Sequence, residues 1–292
     1  TGDSYDFTNL SVFLDKDNDG VPDGAAITSY SLSAGESVGL IVAANVPSGA
    51  TVSQSGLLTL NVTSLNNASG TKTNVDTATV SNQSVVIVRK KFSQTTVANG
   101  DVVTVRLDYQ NLGSIATGSV TLTDVLDPSL VYQLNSGENW NGTTVNPSTG
   151  SNDPVGINYS VTSNTVTAVL SSIAANSVGY IEFKVGVNRT LAGKINNTVN
   201  FQYDHDNNTA TATIADVSNI AVLNLAPIYA VKINGSVSDV NNSSNIIATP
   251  VLQGGELVFN NYVWNTGNST DLFNLTLTGS TFPAGSQIEF YR

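Results

Sequence analysis

The chain has 292 residues, 40% of them apolar and 11% charged, with a formal net charge of −11 and no cysteine. That apolar share supports folded cores, whereas the acidic balance lacks the clustered Lys and Arg that nucleic acid requires. Disulfides and thiol chemistry are excluded, and no apolar run reaches the ~18 residues of a membrane span, so no membrane insertion is expected of this segment.

Residues 1–80 read as strands throughout. Leu10, Val12 and Leu14 alternate with polar neighbours, and an Asp-rich loop follows. Leu40 and Val42 lead to a turn at Pro47-Ser48-Gly49. Leu58, Leu60 and Val62 form another strand, and Ala78 and Val80 end the section. Such period-2 alternation places one set of side chains in a core and the other in water.

Residues 81–216 read as one complete module. Val86, Val88, Lys90 and Phe92 share one phase of a first strand. Val103, Val105, Leu107 and Tyr109 share one phase of the next, and Val120 and Leu122 begin a third. A long Gly/Asn/Ser/Pro loop, Asn135–Pro154, follows. Further strands are predicted around Val166–Leu170, Ile181–Val187 and Ile195–Tyr203. About seven short strands separated by turn signals predict a two-sheet sandwich.

Residues 217–292 begin a third module and stop partway. Gly255–Leu277 repeats the pattern of Asn99–Asp124, and the second half of that pattern returns at Thr1–Val12. The fold expected is all-β, with tandem Ig-like β-sandwich modules in an extended rod: 1–80 partial, 81–216 complete, 217–292 partial. By the repeat pattern both ends are incomplete. They are either cuts in a longer array or strands completed by neighbouring copies, head to tail.

The strongest metal motif is Asp15-Lys16-Asp17-Asn18-Asp19-Gly20-Val21-Pro22-Asp23. Oxygen ligands from Asp15, Asp17 and Asp19, a glycine for the turn, the Val21 carbonyl and Asp23 suit Ca²⁺ in a structural role. Position 12 of the motif is Ala26, so the bidentate Glu of an EF-hand is absent and another ligand must complete the sphere. The bland alternative is a solvated acidic turn.

A second candidate comes from strand phase. Lys90 shares the inward phase of Val86 and Val88, Asp124 that of Val120 and Leu122, and Asn197 that of Ile195 and Val199. Burial lowers the proton affinity of Lys and raises that of Asp. The combination suits a spontaneous Lys90–Asn197 isopeptide bond with protonated Asp124 polarising the Asn carboxamide. The layout is similar to that of collagen-adhesin-type sandwiches, which use Lys, Asn and a catalytic acid in this way. The bland alternative is an Asp–Asn hydrogen bond with Lys90 snorkelling outward.

Other polar clusters carry less. His205, the single histidine, sits between Asp204 and Asp206 and reads as a polar hairpin loop. Glu138 and Trp140 lie in the long loop, where a carbohydrate contact competes with simple exposure. Asn61, Asn67, Asn141 and Asn268 open Asn-x-Ser/Thr sequons, which arise by chance in so polar a chain.

Lys90-Lys91-Phe92-Ser93, Asn99-Gly100-Asp101, Tyr109-Gln110-Asn111-Leu112-Gly113, Thr123-Asp124-Val125-Leu126 and Ile195-Asn196-Asn197-Thr198 occur in that order. Over about 130 residues the central module thereby resembles the conserved-repeat domain family (domain of unknown function 11) of bacterial and archaeal surface proteins. Leu112 stands where the family usually has Thr, and Asp127 interrupts its usual Leu-Pro. The resemblance implies tandem Ig-like sandwiches in stalks, surface layers and adhesive fibres, secreted or on the cell surface, without catalytic activity. The partners expected are further repeats or other copies of the chain. The alternative is an adhesin that binds a receptor or glycan through loops such as Asn135–Pro154.

Overall fold

The computed structural model describes residues 3–134, 136 and 156–276, apart from positions 245, 247–249, 251, 253 and 257. Glu138, Trp140, Asn141 and nearly all of the Asn135–Pro154 loop lie outside the described residues. The secondary structure of the described residues is β throughout. The chain divides by compactness into residues 1–226 and 227–292.

The first unit opens with two antiparallel pairs. β1 (Thr8–Asp15) pairs with β2 (Gly39–Asn45), and β3 (Ser55–Ser64) with β4 (Asn67–Thr79). These pairs bury little: Leu14 and Leu58 are covered, whereas Leu10, Val62 and Val75 are exposed.

The sandwich follows. Its strands are β5 (Val86–Phe92), β6 (Thr96–Val97), β7 (Val102–Asn111), β8 (Val120–Val125), β9 (Leu130–Tyr132), β10 (Ile157–Thr162), β11 (Thr165–Leu170), β12 (Val178–Val187), β13 (Gly193–Asn197), β14 (Asn200–Tyr203), β15 (Ile214–Val217) and β16 (Ala221–Leu225). One sheet has the order β5-β7-β12-β9 and another β10-β11-β8-β14-β15. A third, β13-β16-β6, contains the parallel pair β16–β6. One continuous core joins all three, including Val105 and Phe183 of the first sheet, Leu122 and Val166 of the second, and Ile195 and Leu223 of the third. The alternation in the sequence is the cause: in β7 every second side chain from Val103 to Tyr109 is buried. β16 lies beyond residue 216 and still belongs to this core, because Ala221, Leu223 and Leu225 alternate inward.

One corner of the sandwich is fixed by Asn111, which is fully buried. Its Nδ2 donates to the carbonyls of Ile115 (2.8 Å), Ile173 (3.1 Å) and Ala174 (3.2 Å). Its Oδ1 accepts from the backbone N–H groups of Val85 (3.2 Å) and Gly113 (2.9 Å). A Cβ at Gly113 would collide with the Gln83 carbonyl oxygen and the backbone of Ser84, so only glycine lets the two chain segments touch.

The second unit shows β17 (Val231–Asn234) paired with β18 (Tyr262–Asn265). It repeats the same corner. Asn265 Oδ1 accepts from Gly267 N–H (3.0 Å), and its Nδ2 donates to Ser269 O (2.8 Å). A Cβ at Gly267 would strike the Ile228 carbonyl. Thr266 N–H bonds to Ala230 O in one unit as Leu112 N–H bonds to Val85 O in the other. The repeat seen in the sequence is therefore a repeat of hydrogen bonding.

Asn111→Ala strips a partner from five backbone groups in a dry site. At about 1–3 kcal/mol for each buried group left unsatisfied, with partial relaxation, it should destabilise the sandwich by about 3 kcal/mol or more, read as a lower urea midpoint. Asn111→Asp should not rescue it, because a carboxylate has no N–H for the three carbonyls.

Candidate functional site

Three inward polar residues meet in the core of the first unit. β5 carries Lys90 on an edge strand of one sheet, β8 carries Asp124 in the facing sheet, and β13 carries Asn197 in the third. Lys90 and Asp124 have no exposed surface, and Asn197 is buried. Lys90 does not snorkel outward. Its Nζ donates to Asp124 Oδ2 in an ion pair spanning the two sheets.

Asn197 Nδ2 donates to the carbonyls of Val125 (2.9 Å) and Thr198 (3.3 Å). These two acceptors fix which end of the amide is nitrogen. The Asn197 side chain also reaches the Asp124 carboxyl. Asn197 Oδ1 and Asp124 Oδ1 are both buried without a hydrogen-bond partner. Both are acceptors as they stand, and a proton on Asp124 would turn its carboxyl into a donor. Burial pushes the Asp124 carboxyl above its ordinary value, against the pull of the Lys90 charge. Burial likewise pushes the Lys90 ammonium down, against Asp124. Both shifts favour the neutral pair, an amine beside a carboxylic acid.

The backbone of Lys90 is gripped as well. Its N–H donates to Asn219 Oδ1 (2.8 Å), and its carbonyl accepts from Asn219 Nδ2 (2.8 Å). Asn219 Nδ2 also donates to the carbonyl of Asn18 in the Asp-rich loop. Sequence reasoning missed Asn219. It lies 129 residues from Lys90 and acts through one amide, so no local pattern marks it.

In the Asp-rich loop, carboxylate oxygens of Asp15, Asp17 and Asp19 lie within 4.8 Å of one another. The backbone is left-handed at Asn18 (φ 58°) and Gly20 (φ 77°), which folds the chain around them. Asp15 Oδ2 accepts from Gly20 N–H (3.0 Å), and Asp19 Oδ1 accepts from Val21 N–H (2.8 Å). Burial and the charges of Asp19 and Asp17 hold the Asp15 carboxyl above its ordinary value, against the Gly20 N–H bond. Asp23 stands apart from this trio, and its Oδ2 accepts from Lys16 N–H (2.6 Å). Val21 has an exposed side chain.

His205 lies in a turn whose Asp204 Oδ1 accepts from the N–H groups of Asp206 (3.3 Å) and Asn208 (3.1 Å). The Asp204 and Asp206 carboxylates thus shape the turn. A further polar group on the outer face of β7 and β12 links Arg106 to Asp108 (2.7 Å) and Glu182 (2.8 Å), with the guanidinium 3.7 Å from the Tyr180 ring centroid. It carried no motif in the sequence.

No protein-family model and no curated protein matches the sequence, so the resemblance to the conserved-repeat family rests on its short motifs alone. Solved structures give distant likenesses. Domains D2 and D3 of the major pilin SpaD from Corynebacterium diphtheriae align at 13% identity and TM-score 0.38, over 56% of this chain and 59% of that one. A C-terminal fragment of the major pilin GBS80 of Streptococcus agalactiae aligns at 17% and 0.34, over 52% and 57%. The collagen adhesin of S. aureus aligns at 13% and 0.34, over 53% and 55%. The chain thus spans between half and two thirds of each. At these scores the likenesses establish neither a family nor a function for it.

Proposed function

We propose that this chain is a non-catalytic segment of an extracellular fibre, stalk or surface layer, hardened by an internal Lys90–Asn197 isopeptide bond. The observation that carries the reading is a fully buried lysine paired with a buried carboxyl that a buried asparagine also reaches, across three sheets, in a chain without cysteine. A buried ion pair is a poor stabiliser compared with apolar residues of the same volume, so its presence calls for another purpose.

The chemistry balances within the cluster. Neutral Lys90 Nζ attacks Asn197 Cγ while the Asp124 proton polarises the Asn197 Oδ1 carbonyl. The Nζ–Cγ bond forms, the Cγ–Nδ2 bond breaks, and Asp124 relays a proton from Nζ to the departing Nδ2. Ammonia leaves, and nothing is oxidised or reduced. The bond closes a loop of roughly a hundred residues, worth about 4–5 kcal/mol in chain entropy, and it does not depend on an oxidising compartment.

Head-to-tail assembly with further repeats or other copies is part of the same proposal. β17 and β18 leave Val231, Ile233 and Val263 exposed, and added strands would cover them. The size of the native particle compared with the denatured chain tests that part.

Intact mass spectrometry should find the chain one ammonia lighter than its sequence mass, with the Lys90 and Asn197 peptides joined after digestion. Lys90→Ala, Asn197→Ala and Asp124→Ala should each restore the full mass. A wild-type mass equal to that of the plain sequence refutes the bond.

Asp124→Asn leaves Lys90 unlinked and buried without its carboxyl partner, which should destabilise the sandwich by about 3–5 kcal/mol near neutral pH. The Lys90 value is depressed from 10.5 in the folded state, so the unfolded chain binds the extra proton. The stability of this variant should therefore rise with pH through the window between the depressed value and 10.5, and level off above it. Lys90→Met in the same background should abolish the rise in urea unfolding followed against pH.

A further inference from the structure

The Asp-rich loop shows more than clustered acids. Asp15 is only 6% exposed, and its Oδ1 is buried without a hydrogen-bond partner. Its other oxygen bonds across the loop to Gly20 N–H, so the carboxyl points into the ring that Asp17 and Asp19 complete. Among the described residues, no Lys or Arg pairs with any of the three. Three carboxylates this close repel one another, and a buried, unpaired carboxylate oxygen is costly. All three donors are hard oxygens, with neither His nor Cys among them, which matches Ca²⁺ or Mg²⁺ rather than zinc or copper.

The loop also has a mechanical connection. Its Asn18 carbonyl accepts from Asn219 Nδ2, and Asn219 brackets the Lys90 N–H and C=O. Its Gly20 carbonyl accepts from Arg89 Nε (3.0 Å), one residue before Lys90. Both loop carbonyls that touch the sandwich lie between or beside the acidic residues. The loop is thus hydrogen-bonded to β5 by two routes.

We propose that Asp15, Asp17 and Asp19 bind a Ca²⁺ ion, and that the bound ion clamps the β1–β2 pair onto β5 through Asn219 and Arg89. The ion neutralises the carboxylates and fixes the turn from Asp15 to Gly20. The Asn18 and Gly20 carbonyls then stay in register with their partners on the sandwich. The cation thereby stiffens the joint between the N-terminal strands and the sandwich, whether or not the isopeptide bond forms.

The test adds calcium chloride to the full chain after chelator treatment, follows binding by calorimetry and follows amide exchange in parallel. Wild type should bind Ca²⁺ saturably, and exchange at the Lys90 amide should slow on binding. The exposed or half-buried sites are the ones to change: Asp17→Asn with Asp19→Asn should weaken binding by at least about tenfold, because affinity follows ligand charge. Asn219→Ala should keep the binding and lose the slowing at Lys90. Absence of saturable binding by wild type, or equal binding by the double variant, overturns the site. Equal slowing in Asn219→Ala overturns the clamp.

Discussion

The sandwich depends on a lysine placed where no water can reach it. Lys90 lies on β5 in step with Val86, Val88 and Phe92, and its buried ammonium meets the Asp124 carboxyl and the Phe92 ring. A solitary ammonium there would be strongly disfavoured, so β8 is constrained to bring a carboxyl to it, and Asn197 of β13 reaches that carboxyl. Asn219 adds a constraint from the other direction by pairing with both backbone groups of the same residue. One residue therefore fixes the relative positions of three sheets and of the segment that follows β15.

The inward placement of this cluster was legible in the sequence because strand phase is a strict alternation. Lys90 in step with Val86 and Val88, and Asp124 in step with Val120 and Leu122, leave a single orientation once the apolar faces turn inward. The same logic predicted the β nature of the chain and the central strands. It worked less well at the N-terminus. Leu10 and Leu14 alternate like a core-facing set, but β1 pairs only with β2, and Leu10 remains exposed. Alternation reports which side chains share a face, and not whether anything covers that face.

Features that act across long separations were not legible. Asn219 joins Asn18 to Lys90 through one amide, over 201 and 129 residues. Within the Asp-rich loop, Asp23 accepts from Lys16 N–H, a bond that residue spacing alone does not reveal. The Asn-x-Gly corner was visible as a motif, but its reason was not. Asn111 supplies five hydrogen bonds to backbone, and Gly113 is required because a neighbouring carbonyl occupies the space of a Cβ. Asn265 and Gly267 repeat that contact with different neighbours, so the motif encodes a close approach of two segments more than any particular side-chain packing.

The parallel pairing of β16 with β6 has a consequence for load. β6 lies near the start of the sandwich and β16 at its end, with Asn224 opposite Thr96 and Leu225 opposite Val97. Tension applied at the two ends of this segment pulls the two strands in opposite directions along their common axis. They must slide past each other rather than peel apart. The Asn224 N–H bond to Thr95 O (2.8 Å) and its ladder neighbours are then loaded together instead of one after another. Without the cross-link, this short parallel contact resists stretching in shear; a Lys90–Asn197 bond would carry the tension past β6, which lies inside the loop that the bond closes.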